Sequence, residues 1–288
     1  MSASSLTGTS ILDLPRLPWP VSHPATDFAF AALAGLDDAV DRRHVDLPLG
    51  DGSDRALTMI AYGHWGRPVL AFPSQSGRAW DFENFGMVDA VRDLIDDGRI
   101  KLYCVDSLDA DTWSAYGLPI EERARRHGAY HRWLTDVVVP WIKRDTSQDA
   151  ELISTGCSLG GYHAVQFSLQ RPDLAPLAIG LSGNYDPSTW RAWGESADAA
   201  YFANPTHYVP NLHGDHLGWL QSRLSLLLVV GQGAWETQPT RCLPTTRVMA
   251  GLLQDKGIRC ELDLWGYDVS HDWVWWQRQL AHHLPRFC

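Results

Sequence analysis

The chain contains no run of about 18 consecutive apolar residues, so no helix that crosses a bilayer is expected. It also lacks positive charge. Lys and Arg number 24 against 34 Asp and Glu, the net charge is -10, and no basic run occurs. A nucleic-acid partner, which needs a cationic face for phosphates, is therefore not expected, and neither is an anionic membrane. The first ten residues have no basic segment followed by an apolar one, so they do not read as a secretory signal. The five cysteines (Cys104, Cys157, Cys242, Cys260, Cys288) are scattered and form no CxxC pair, which fits reduced thiols and a cytoplasmic location. His213, Asp215 and His216 form the only short run of ligand-type residues. It reads as loop polarity, and no metal site is expected. Internal repeats and low-complexity linkers are absent.

What is present is the pattern of one large globular domain. The Ser-, Thr- and Pro-rich residues 1–25 read as an irregular arm and residues 26–288 as a single catalytic domain. His44–Leu49 and Ala56–Tyr62 read as strands joined through Gly50-Asp51-Gly52, a hairpin signal. Further short apolar runs at 68–72, 101–105, 152–155, 177–181, 224–230 and 259–264 read as strands. Helical spacing separates them at 88–95, 130–141, 159–169, 245–256 and 273–284. Pro140 should kink or shorten its helix. Alternation of this kind gives an α/β fold with a mostly parallel sheet and helices on both faces. An insertion at about 184–223, rich in Trp, Tyr, Asn, His and Pro, breaks the alternation and is long enough to suggest a lid or binding wall. The 14 tryptophans are expected in the core and in pocket walls, with Trp190, Trp193, Tyr201 and Phe202 of the insertion as candidates for the latter.

The segment Gly156-Cys157-Ser158-Leu159-Gly160-Gly161 sits between a strand and a helix. A G-x-S-x-G turn in that place is so tight that only small residues fit two before and two after the serine, and it lifts the hydroxyl above the sheet edge. The helix that follows aims its N-terminus at developing negative charge, and the Leu159 N–H is one oxyanion donor. The second donor belongs to the loop after the 68–72 strand, from the N–H of Gln75 or Ser76. An activated serine needs an imidazole held in one tautomer by a carboxylate. His271 lies between the last strand and the last helix, the place for a base. Glu236 is the only carboxylate in the loop Gly231–Glu236 after strand 224–230, the place for the acid. Asp268 and Asp272 compete with it, although neighbours so close along a loop reach the far ring nitrogen poorly, and Asp272 suits a helix cap.

The elbow, the stretch Trp265-Gly266 through His271-Asp272-Trp273 and Trp276, and Tyr201-Phe202-Ala203-Asn204-Pro205 together resemble the esterase group of α/β-hydrolases that includes S-formylglutathione hydrolases, feruloyl esterases and mycobacterial mycolyltransferases. The resemblance covers about residues 40–286. It implies the α/β-hydrolase fold and hydrolysis or transfer of a carboxylic acyl group without a cofactor, with Ser158 as nucleophile, His271 as base and Glu236 as acid. A glutamate departs from the aspartate more usual at that position. The partner implied is a small-molecule ester, and a homo-oligomer is compatible with the sequence. Two other readings remain: an acyltransferase using the same acyl-enzyme, and a non-catalytic binding protein on this fold, which would usually have lost the serine or the histidine.

Overall fold

The computed structural model describes residues 41–146 and 150–288, so the arm read at 1–25 lies outside the described residues. Eight strands form one sheet: β1 (Arg42–Pro48), β2 (Ala56–Tyr62), β3 (Arg67–Phe72), β4 (Ile100–Val105), β5 (Ile153–Cys157), β6 (Leu177–Leu181), β7 (Ser225–Val230) and β8 (Arg259–Leu264). Their order in space is β1-β2-β4-β3-β5-β6-β7-β8. β1 and β2 form the expected antiparallel hairpin, and β2 pairs antiparallel with β4. Every pairing from β4 through β8 is parallel.

The helices are α1 (Asp81–Asn84), α2 (Arg92–Asp96), α3 (Ile120–Trp133), α4 (Val139–Thr146), α5 (Leu159–Gln170), α6 (Asp198–Phe202), α7 (Pro205–Tyr208), α8 (Gly214–Arg223), α9 (Cys242–Asp255) and α10 (Trp273–His283). The strands alternate their side chains between two cores, as the pleat requires. Val69, Ala71, Ile179, Leu227 and Val229 face one core with Leu94, Trp276 and Leu280 of α2 and α10. Leu70 and Phe72 face the other side with Trp133 and Phe167 of α3 and α5, while Leu226 and Leu228 pack there with Met249 of α9. Both faces are thus covered, which is why the central strands read as nearly unbroken apolar runs.

Three elements depart from expectation. The 88–95 helix is split into a 3-10 turn at Asp89–Val91 and the short α2. Pro140 does not end its helix. A π-helical segment, Leu134–Val138, lies between α3 and α4, so Pro140 falls at the second residue of α4, where its missing N–H is tolerated. The insertion at 184–223 is not structureless. It holds α6, α7, α8 and 3-10 turns, two of them begun by Asx caps, in which Asp186 accepts from Ser188 N–H and Asn204 from Thr206 N–H. Short capped helices with proline in the first turn leave no period long enough to see in the sequence.

Candidate active site

Loops leaving the carboxyl ends of β3, β5, β6, β7 and β8 converge at one edge of the sheet, the usual place for ligands in open α/β sheets. Ser158 sits between β5 and α5 with φ 56° and ψ -121°. The two flanking glycines explain the turn. A Cβ on Gly156 would collide with the backbone of Gly160, and one on Gly160 with the carbonyl oxygens of Phe72 and Pro73. Only glycine lets α5 pack this close to β3.

His271 and Glu236, 113 and 78 residues from the serine by position, reach it in line. Ser158 Oγ lies 2.9 Å from His271 Nε2, and His271 Nδ1 lies 3.1 Å from Glu236 Oε2. An ionised carboxylate can only accept, so Nδ1 carries the proton and Nε2 is left to accept from the serine hydroxyl. Glu236 is fully buried and stands in the loop after β7. Its second oxygen accepts from Ser182 Oγ at 2.6 Å, and that hydroxyl accepts in turn from Trp276 Nε1 at 3.1 Å. Trp276 also packs edge-on to the His271 ring, with centroids 4.9 Å apart. A single tryptophan of α10 thus braces both the imidazole and the support of its carboxylate. The competing acids are placed elsewhere: Asp268 is solvent-exposed, and Asp272 caps α10 by accepting from Trp273 N–H at 2.7 Å.

The two oxyanion candidates of the β3 loop separate clearly. Ser76 N–H donates to the buried Asp109 carboxylate at 3.0 Å and is committed. Among the described residues the N–H groups of Gln75 and Leu159 have no protein acceptor, and both residues line the same cavity as Ser158. Leu159 is the first residue of α5, where an N–H has no intrahelical partner. The Gln75 side chain is fixed by donating to Ser114 Oγ at 2.9 Å and Tyr116 OH at 2.8 Å.

That cavity measures about 330 Å³. Trp113, Tyr116 and Trp190 supply apolar wall, and the exposed Arg191 and Arg241 also line it. Arg191 lies over the Tyr116 ring, 4.9 Å from the centroid. Neither arginine has a carboxylate partner among the described residues. Of the aromatics expected as pocket wall, Trp190 is placed there. Trp193 and Phe202 are exposed away from the cavity, and Tyr201 packs against the core beneath the insertion. The six described non-glycine residues with positive φ are Ser76, Ser158, Ser182, Arg191, Trp235 and Arg241. All six belong to the loops of this site. Such backbone costs about 1–3 kcal/mol per residue and survives only where its surroundings enforce it.

Two residues were out of reach of sequence reasoning. Ser182 has no motif; the only hint is its position directly after strand 177–181. His283, at the end of α10, has no motif either, yet it is fully buried and meets Asp263 Oδ2 of β8 at 2.8 Å.

The sheet order and the serine–imidazole–carboxylate line define an α/β-hydrolase. The chain belongs to the family described as "Putative esterase", which it matches over residues 66–287, and it is a carboxylic-ester hydrolase. Among solved structures, a ferulic acid esterase is similar at 14% identity with TM-score 0.65, covering 85% of this chain and 97% of the other. An S-formylglutathione hydrolase from Agrobacterium tumefaciens matches at 13% identity and TM-score 0.64, covering 86% and 95%. MPT51 of Mycobacterium tuberculosis matches at 14% and TM-score 0.67, covering 86% and 98%. At these identities the likeness establishes the fold. No curated protein matches the sequence. No described helix is long and apolar enough to cross a membrane.

Proposed function

We propose that Ser158, His271 and Glu236 form the catalytic triad of this esterase and that Leu159 and Gln75 supply the oxyanion hole. One observation carries the assignment: the hydrogen-bonded line from Ser158 Oγ through both ring nitrogens to a buried carboxylate. His271 Nε2 takes the serine proton as Oγ attacks the ester carbonyl. Negative charge then develops on the carbonyl oxygen, and the N–H groups of Leu159 and Gln75 receive it; a single such donor is worth about 10²–10³ in rate. The imidazolium, steadied by Glu236, protonates the leaving alcohol. Water, deprotonated by the same ring, releases the acid from Ser158. No metal or cofactor enters any step.

The unpaired Arg191 and Arg241 favour an ester that carries a negative charge, since the rest of the surface, at net -10, would repel one. The test is labelling by a fluorophosphonate probe, with p-nitrophenyl acetate turnover in parallel. Wild type should label and show a burst; Ser158→Ala, folded as judged by melting, should do neither. Equal labelling of the variant would reject the nucleophile. Product analysis with added alcohol separates hydrolysis from acyl transfer by the same acyl-enzyme.

A further inference from the structure

Between α3 and α5, behind the Trp113 wall of the cavity, three imidazoles meet. His127 and His131 stand one turn apart on α3, and His163 on α5 faces them. At least one ring nitrogen of each lies within 4.8 Å of the others, and all three residues are buried, at 3%, 8% and 0% exposure. Both nitrogens of His127, Nε2 of His131 and Nδ1 of His163 have no hydrogen-bond partner. Buried polar atoms are nearly always paired, and leaving one unpaired is costly. Four unpartnered nitrogens on three rings, one of each ring within reach of the others, call for an occupant.

The chemistry of the donors says which kind. His163 Nε2 meets the buried Asp109 carboxylate at 3.1 Å. That carboxylate can only accept, so Nε2 carries the hydrogen and the unpartnered Nδ1 keeps its lone pair. A carboxylate behind a ring that presents its other nitrogen is the usual outer-shell support of a metal-bound histidine. Two histidines at i and i+4 on one helix face make a natural chelate, and a set of three nitrogens without thiolate or extra carboxylate suits zinc-like ions rather than magnesium or calcium.

We propose that His127, His131 and His163 bind one zinc(II)-class ion, with Asp109 as the supporting carboxylate. Zinc–nitrogen bonds of 2.0–2.1 Å in a tetrahedron place ligand nitrogens roughly 3.3 Å apart, so nitrogens now within 4.8 Å of one another close in by at most about 1.5 Å. The ion would tie α3 to α5. Through Asp109, which also receives Ser76 N–H, it would steady the loop that carries Gln75. The role is structural: Trp113, a wall of the cavity, packs against the His127 ring at 4.9 Å between centroids and stands between it and the substrate.

The experiment uses the whole chain, freed of any affinity tag. Protein stripped of metal is titrated with zinc, and melting, metal content and fluorophosphonate labelling are read together. About one zinc per chain is expected, with a rise in Tm of about 5–10 °C at a hundredfold excess over Kd and labelling retained. The His127→Gln, His131→Gln double variant should lose the bound metal and the rise. Cobalt(II) in the wild type should give the visible bands of a four-coordinate ion, and X-ray absorption should show imidazole scattering, so the result stands even if the double variant does not fold. Failure to bind zinc at micromolar concentration, retention of zinc by the double variant, or sulfur scattering would overturn the proposal. So would zinc binding that abolishes labelling, because Glu236, Cys242 and His271 form a second group within metal reach.

Discussion

Replacing Glu236 by glutamine tests the assignment of the acid most directly, because shape is kept and only charge and one acceptor are lost. In the resting site the carboxylate accepts from His271 and from Ser182 at once. A glutamine has one oxygen. With that oxygen toward His271, its NH₂ faces Ser182, whose hydroxyl must turn to accept. With the NH₂ toward His271, the ring must adopt the other tautomer and can no longer accept from Ser158. The larger loss comes in the transition state, where His271 is an imidazolium. Unit charges about 4 Å apart attract by about 4 kcal/mol at an effective dielectric constant near 20. At 1.36 kcal/mol per decade that is about 10³ in rate, and the tautomer penalty brings it toward the ~10⁴ typical of amide replacement in a triad. The assay is the steady-state kcat for p-nitrophenyl acetate beside the second-order rate of fluorophosphonate labelling, with a melting curve to confirm folding. Both rates should fall by about 10³–10⁴. Asp268→Asn, at an exposed position, should stay within about threefold of wild type. A Glu236→Gln enzyme within tenfold of wild type, or a large loss at Asp268, would refute the assignment.

Ser182→Ala should lower kcat by about tenfold and Tm by several degrees, since it removes a charge-assisted bond to Glu236 and strands the Trp276 N–H in the core; unchanged kinetics and melting would show that Glu236 needs no second donor. Reversing Arg191 and Arg241 to glutamate should raise KM for an ester bearing a carboxylate by about tenfold or more while leaving p-nitrophenyl acetate nearly unaffected, and equal effects on both substrates would remove the charge argument. Burial pushes the Asp145 carboxyl up, but hydrogen bonds from Arg43, Lys101 and Tyr103 outweigh it and hold the group below the ordinary value of 3.8. The folded chain thus keeps Asp145 ionised where the unfolded chain would protonate it. Its contribution to stability is complete above pH about 4 and is lost as pH falls through the lower folded value. Urea midpoints of Asp145→Asn should lie below wild type at pH 7, with the gap narrowing under pH about 3.5; a gap that does not change with pH would deny the linkage.

Much of the site was legible because strong local signals happened to lie where the chemistry is. The elbow needs glycines that no other residue replaces. Glu236 was the only carboxylate in the loop Gly231–Glu236 after strand 224–230, and His271 was marked by lying between the last strand and the last helix. The strands were legible because two covered faces demand continuous apolar runs. What stayed hidden depends on contacts between distant segments. The choice between Gln75 and Ser76 is made by Asp109, 33 residues further on. Ser182 matters only because α10 delivers Trp276 to it. The three histidines become a cluster only when α3 is laid against α5; their i, i+4 spacing at 127 and 131 was the one available hint, and a helix face offers many such pairs. Phe202 lies exposed at the end of the short α6, and Trp193 lines a separate cavity while donating to Tyr116 O, so neither ring joins the wall beside Ser158.

The proposed triad is closed by a hydrogen bond between residues 113 positions apart, and by a second that spans 35. Neither end can be held until the parallel strands from β5 to β8 have stacked in register, and such long closures are entropically slow. Enzymatic competence therefore marks the completion of folding rather than its onset. In a refolding time course, helical circular dichroism would return first, and ester turnover would trail it, reporting the moment at which α10 settles against the sheet.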